Sequence, residues 1–275
     1  MKLIFSPRCL EFHQVGHPES PERIRAAYDD LAGKYLSLEP EPATEEDLLQ
    51  VHSAELIDRV QRLDFYDPDN PRYSNIYEYA RLAVGGAILA AEVGGLSLMR
   101  PPGHHAGRNR VAGFCYFNNI AVAVRRLGVR TLILDIDGHH GDGTQEIFLG
   151  DAQVVYISLH RSPLYPGTGL RSEGNCYNYP LEAGCGDRRY LETLETALGV
   201  VDVDGIEQIA ISAGFDAYWK DPLASLGLTT DGYRAIGRWA AELHRPWFAV
   251  LEGGYDVGSL GRNIDALIEG LSGTT

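Results

Sequence analysis

The sequence predicts an α/β protein, a single domain over residues 1–275 built on a mainly parallel β-sheet with helices on both faces. Three observations predict it. Short apolar, β-branched runs alternate with longer segments of helical periodicity along the whole chain. The runs are apolar at consecutive positions, as in Leu132-Ile133-Leu134, which is the pattern of strands buried on both faces. Several runs end in glycine beside a titratable residue, and in an open α/β sheet ligands sit beyond the carboxyl ends of the strands.

Residues 2–5 read as a first strand. Ser20 stands as the N-cap of a helix from Pro21 to about Leu31, with proline at a position whose N–H would be unpaired anyway. Arg23 falls in the first turn, where the helix dipole disfavours a cation, so it is either solvated or paired with a buried anion. Residues 43–62 read as two short helices, the second capped near Ser53, and the polar stretch 64–75 as a loop. A helix over 76–93 carries Gly85-Gly86, which implies a close neighbour, and ends at Gly94-Gly95.

A strand over 96–99 precedes a helix over 118–127 and a central strand over 131–137. Asp142 can cap the next helix, with Gln145 reaching back. A strand over 154–159 leads to a Gly-, Pro- and Tyr-rich loop over 161–180 and a helix over 188–200. Strands over 207–212 and 247–251 and helices over 231–243 and 260–271 complete the chain.

The net charge of -14 argues against broad nucleic-acid or anionic-membrane binding, since both need positive surface. It would tolerate a cationic substrate, but an acidic balance is first of all how proteins stay in solution. Cys9, Cys115, Cys176 and Cys185 form no Cys-x-x-Cys pair and fit a reducing compartment. The apolar start breaks at Ser6-Pro7, too early for a signal peptide, and no run nears the roughly 18 apolar residues of a membrane span. A cytoplasmic location is expected. Composition sets no oligomeric state.

The chemistry-bearing residues gather at strand ends: His104-His105, Asp135 through His140, His160, Asp216 and Tyr255. Singly, each has an ordinary explanation as a turn aspartate or core histidine. Together they make a site. Asp137 and His139, two apart on an extended segment, point the same way and can converge on one ion. Asp216, ending another strand, is the best third ligand, and the set leaves a position open. Zn²⁺ is the first expectation, with Fe²⁺ admitted by the oxygen and nitrogen donors. The tandem His104-His105, held by Pro101-Pro102-Gly103, can exchange protons near neutral pH, with Asp135 and Asp142 as spare carboxylates to fix their tautomers. Tyr255, after Gly253-Gly254, offers a phenol to a developing oxyanion. This set suits metal-assisted hydrolysis of an amide.

These pieces resemble the histone deacetylase superfamily on the arginase/deacetylase fold. The resemblance rests on Arg100-Pro101-Pro102-Gly103-His104-His105, Gly113-Phe114-Cys115-Tyr116-Phe117-Asn118-Asn119, Asp135 through Thr144, Ser158-Leu159-His160, Tyr165-Pro166-Gly167-Thr168-Gly169, Ser212 through Asp216 and Leu251 through Tyr255. They occur in the family's order, and Glu252 and Gly214-Phe215-Asp216 look like the class II branch and its bacterial relatives.

The resemblance implies an acylated amine as substrate, acetyl-lysine or a small molecule, and roles for particular residues. Asp137, His139 and Asp216 match the zinc ligands, His104 and His105 the catalytic pair with Asp135 and Asp142 as partners, and Tyr255 the oxyanion tyrosine. Phe114 and Tyr165 resemble the walls of the acyl-lysine tunnel, with Gly113 beside them. Asp69 matches the residue that holds the substrate backbone, and Arg23 the arginine of an acetate cavity. Leu223 stands where polyamine-selective members carry a glutamate. A structural potassium is implied at Asp135, Asp137, His139, Ser158 and Leu159, and a second near Phe148, Asp151 and Val154. Two other readings compete. A ureohydrolase-like enzyme needs Asp135 and His140 turned to a metal pair, and a non-catalytic binding module predicts a lost ligand or tyrosine.

Overall fold

Among residues 1–273, which the computed structural model describes, eight strands join in one sheet. They are β1 (Lys2–Ile4), β2 (Leu36–Leu38), β3 (Gly95–Ser97), β4 (Thr131–Asp135), β5 (Val154–Arg161), β6 (Cys176–Leu181), β7 (Gln208–Ala213) and β8 (Trp247–Leu251). Their order is β2-β1-β3-β8-β7-β4-β5-β6, and every neighbouring pair is parallel. This is the α/β architecture the sequence predicts.

Helices cover both faces because each strand offers apolar side chains to both. Leu132 and Leu134 of β4 enter one core and Ile133 the other; Ile209 and Ile211 of β7 oppose Ala210 in the same way. The helices α1 (Pro21–Leu31), α7 (Gly186–Gly199), α8 (Thr230–Glu242) and α9 (Val257–Leu271) pack on the first core. On the second lie α2 (Glu45–Leu49), α3 (Ala54–Gln61), α5 (Asn119–Leu127) and α6 (Asp142–Phe148). The helix α4 (Ile76–Val93) contributes to both cores, and Gly85 explains its close approach: a Cβ there would stand 1.9 Å from the Glu41 carbonyl oxygen. No helix among the described residues is long and apolar enough to cross a membrane. All four cysteines are free thiols.

Several expectations need correction. The strand expected over 131–137 ends at Asp135, because the Asp135 carboxylate accepts the Asp137 N–H (3.1 Å) and turns the chain. Gly141, not Asp142, occupies the cap of α6; the Asp142 carboxylate is drawn to His105, and the Gln145 side chain to His140 and Asn178. Ser20 holds the cap position of α1 but makes no side-chain cap bond. The loop expected over 161–180 ends in β6, whose apolar alternation is interrupted by buried Asn178. The edge strand β2, at Leu36–Leu38, carries little burial and was not expected.

Candidate active site

Asp137 and His139 lie just past the end of β4, and Asp216 just past β7, its neighbour in the sheet. One ligand atom from each falls within 4.8 Å of the others. Both carboxylates are fixed from behind by backbone. Asp137 accepts from Gly253 N (2.8 Å) and His139 N (2.8 Å), and Asp216 accepts from Gly138 N (2.6 Å).

Three features of this cluster fit a cation. Asp216 Oδ2 is fully buried and makes no hydrogen bond: His139 Nδ1 lies 2.8 Å away but is not directed at it. Burial works against ionising Asp137, but His104 and His139 outweigh it and hold its carboxyl below the usual range, while burial and that neighbouring charge push Asp216 up. Burial also opposes charge on His139, yet Asp216 and Asp137 raise it to about 10. Two carboxylates buried side by side thus demand a positive partner, and a divalent ion with nitrogen and oxygen donors satisfies all three groups.

The tandem histidines stand beside this cluster, each with its own carboxylate. His104 Nδ1 lies 3.2 Å from Asp135, which also accepts from the Tyr156 hydroxyl (2.8 Å). His105 Nδ1 lies 2.7 Å from Asp142, which in turn pairs with Arg110 at 2.9 Å. Burial and the adjacent His104 push His105 down to about 3, against the pull of Asp142. Burial opposes charge on His104 too, but Asp137 and Asp135 outweigh it and raise it well above its ordinary value. Glu252 accepts from the backbone of Gly103 (2.7 Å) and His104 (3.1 Å), so it holds the loop bearing the pair.

A cavity of about 220 Å³ opens over the cluster, with His104, His105, His139 and Tyr255 at its floor. Phe114, Tyr165, Asp69 and Leu223 line its mouth, and buried Gly113 lies against the rings of His105 and Tyr165. Tyr165 is 41% exposed, and its ring lies edge-on to His105 at 5.1 Å. Phe114 has φ +69°, a costly value for a bulky residue. Asn70 holds it there by accepting the Phe114 N–H (3.0 Å) and donating to Cys115 O (3.0 Å). Asp221 ties floor to mouth: its carboxylate takes the Tyr255 N–H (2.6 Å) and the Leu223 N–H (2.9 Å). Asn70, Arg110 and Glu252, and Asp221 in its bond to Tyr255, act through partners far away in sequence, so spacing alone gave no sign of them.

The remaining expected residues sit behind the floor. Arg23 is fully buried and does find an anion: Glu19, at 3.0 Å, which it shares with Arg100. Burial pushes Glu19 up, but Arg100 and Arg23 hold it ionised below the usual range. Arg23 also donates to the carbonyls of Gly254 (2.6 Å) and Glu252 (2.8 Å), and its guanidinium lies 4.6 Å from the centre of the Tyr255 ring. Ser158 is fully buried and paired in register with Asp135, with Leu159 next to it on β5. Around Phe148 and Val154, the Asn175 amide donates to both carbonyls (2.9 and 2.8 Å) and Asp151 pairs with Arg125, so the chain's own donors serve these groups.

Comparison with known proteins accords with this geometry. The family model for the histone deacetylase domain matches residues 17–271. A probable deacetylase of Methanothermobacter thermautotrophicus is 40% identical, over 99% of this chain and 91% of its own. The crystal structure of the HDA15 HD domain superposes with a TM-score of 0.92 at 35% identity, covering 99% of this chain and 88% of its own. That of an acetylpolyamine aminohydrolase from Burkholderia pseudomallei gives 0.86 at 27% identity, covering 99% and 98%. A parallel eight-stranded sheet, a carboxylate–imidazole cluster at its carboxyl edge and a domain match over nearly the whole length lead to one conclusion: the chain belongs to the histone deacetylase family.

Proposed function

We propose that the chain is a single-domain, metal-dependent deacetylase that removes an acetyl or other acyl group from an acylated primary amine. The observation that carries this reading is the convergence of the Asp137–His139–Asp216 cluster, both histidine–carboxylate pairs and Tyr255 on one narrow cavity. A divalent ion on that cluster, zinc first and iron(II) second, would supply a Lewis acid for the amide carbonyl and the attacking water.

The chain's own residues do the rest. His105 donates Nδ1–H to Asp142, which leaves the Nε2 lone pair for the cavity, and a group pushed down to about 3 is a free base at neutral pH. It takes the proton of the water, and the histidine pair returns one to the leaving amine. The Tyr255 hydroxyl donates to the oxyanion. Phe114 and Tyr165 confine a thin alkyl chain and keep bulk water from the floor, and Asp69 at the mouth grips a peptide backbone. Arg23 belongs to a pocket for the released acetate, and a potassium ion at Asp135, Asp137, His139, Ser158 and Leu159 would stiffen the loop under the site.

Acetyl-lysine is the first substrate class. An acetylated polyamine is the second, favoured by the likeness to the Burkholderia aminohydrolase and opposed by Leu223, an apolar group where a cationic chain would need a carboxylate. The ureohydrolase-like reading loses support because Asp135 turns to His104 and Tyr156, and His140 to Thr168 and Gln145. A turnover panel of acetyl-lysine peptides, acetylated polyamines and longer acyl-lysines, with and without added Zn²⁺, tests the proposal. Metal-dependent release of acetate from any of them supports it; no turnover of any acyl amine by metal-loaded protein would overturn it.

A further inference from the structure

His140 and His160 take no part in the chemistry above and do not line the cavity, yet both are nearly fully buried. Their rings lie 4.7 Å apart beneath residues 162–175, the segment that carries Tyr165 and exposes Leu170. His160 Nε2 lies 3.1 Å from the Gly169 carbonyl, which can only accept, so that nitrogen carries the proton. With the proton on Nε2, the Nδ1 lone pair faces the Ser158 hydroxyl at 2.9 Å, which donates to it. His140 repeats the arrangement: Nε2 donates to Gln145 Oε1 (3.0 Å), and Nδ1 accepts from the Thr168 hydroxyl (2.7 Å). Gln145 is held in turn by Asn178, whose amide also donates to the Arg171 carbonyl (2.9 Å).

The fit between this segment and the two rings is close. Gly169 has φ +71°, and a Cβ there would stand 2.6 Å from the His140 ring and 2.7 Å from that of His160. Only glycine lets the backbone rest on both imidazoles. His140 also follows His139 directly, so the anchor of the mouth is one residue from the metal cluster at the floor.

We propose that His140 and His160 are positioning residues that set the tunnel wall, fixing the Tyr165 segment at the height above the floor that a thin acyl chain requires. The proposal rests on the deacetylase reading of the cavity. It predicts that loosening either anchor weakens confinement of the acyl chain more than the chemical step.

The test is hydrogen exchange and steady-state kinetics on His140→Ala, His160→Ala and His160→Gln, the last retaining a donor for Gly169 O. In the alanine variants, exchange of residues 162–175 should rise about tenfold with the remaining sheet amides unchanged. KM for an acetyl-lysine peptide should rise about tenfold, with kcat within about threefold, and His160→Gln should restore most of both. If the alanine variants do not fold, Thr168→Val, which removes only the hydroxyl on His140, should show the same changes on a smaller scale. Folded variants with unchanged exchange over 162–175, or a fall in kcat at constant KM, would overturn the proposal. If no substrate is turned over at all, the exchange result still decides the anchoring role, separately from the deacetylase reading.

Discussion

At the floor of the cavity, Asp137 and Asp216 are held by backbone N–H groups at the ends of adjacent strands, and each histidine of the tandem pair has its own carboxylate. At the mouth, Phe114, Tyr165, Asp69 and Leu223 stand on loops, partly exposed, and depend on Asn70, Asp221 and buried histidines for their positions. The floor is rigid because the sheet is rigid. The mouth is shaped by a few side-chain hydrogen bonds to loop backbone, so most of it can vary apart from the strand ends that carry the cluster. Changes at the floor should therefore cost turnover on every substrate, and changes at the mouth should discriminate between substrates.

Tyr255→Phe probes the floor with the largest expected effect. Removal of one oxyanion donor should lower kcat by about 10²–10³-fold while metal content stays intact. An unchanged kcat would remove Tyr255 from the chemistry. Asp221→Asn lies between the regions, since an amide cannot accept from both Tyr255 and Leu223 as the carboxylate does. A loss of about tenfold in kcat/KM on all acyl amines is expected, and a loss confined to one substrate class would place Asp221 with the mouth alone. Asp69→Ala should weaken acetyl-lysine peptides about fivefold more than N-acetylputrescine, because only the peptide offers a backbone to grip. Equal losses would make Asp69 structural.

The last effect concerns stability instead of turnover, and it comes from a histidine outside the cavity. His52 accepts the Asn118 N–H at Nε2 (2.9 Å), donates from Nδ1 to Gly107 O (3.0 Å), and is pushed down to about 4 by burial. Below its ordinary value of 6.5 the unfolded chain binds a proton that the folded chain refuses until about pH 4, so stability falls as pH drops through that window. The loss from this one group amounts to at most about 3 kcal/mol. Urea midpoints for the wild type and His52→Gln between pH 7 and 5 measure it. Parallel curves for the two proteins would contradict the assignment.

The same contrast explains what could be read from the chain. The strand-end residues lie in short motifs, and their place past the end of β4 brings Asp137 and His139 together, although it is the turn after Asp135 and not a strand's period of two that does so. Consecutive apolar positions marked β4, β5, β7 and β8 as buried strands. The misfit of Arg23 with the helix dipole left two readings open, a solvated arginine or a buried anion partner, and nothing in the spacing identified Glu19. The edge strands β2 and β6 escaped notice because one is largely exposed and the other carries a buried asparagine and a proline. The supports of the mouth were invisible for another reason. Asn70 reaches Phe114 and Cys115 across more than forty residues, and His160 meets Gly169 only because the loop folds back on β5.

The central claim is that Asp137, His139 and Asp216 hold the ion that makes the floor reactive. Elemental analysis of the purified wild type and of Asp216→Asn, each after exposure to Zn²⁺ and desalting, tests it most directly. One tightly held ion per wild-type chain and a largely stripped variant are the predicted result. Full occupancy in Asp216→Asn would contradict it.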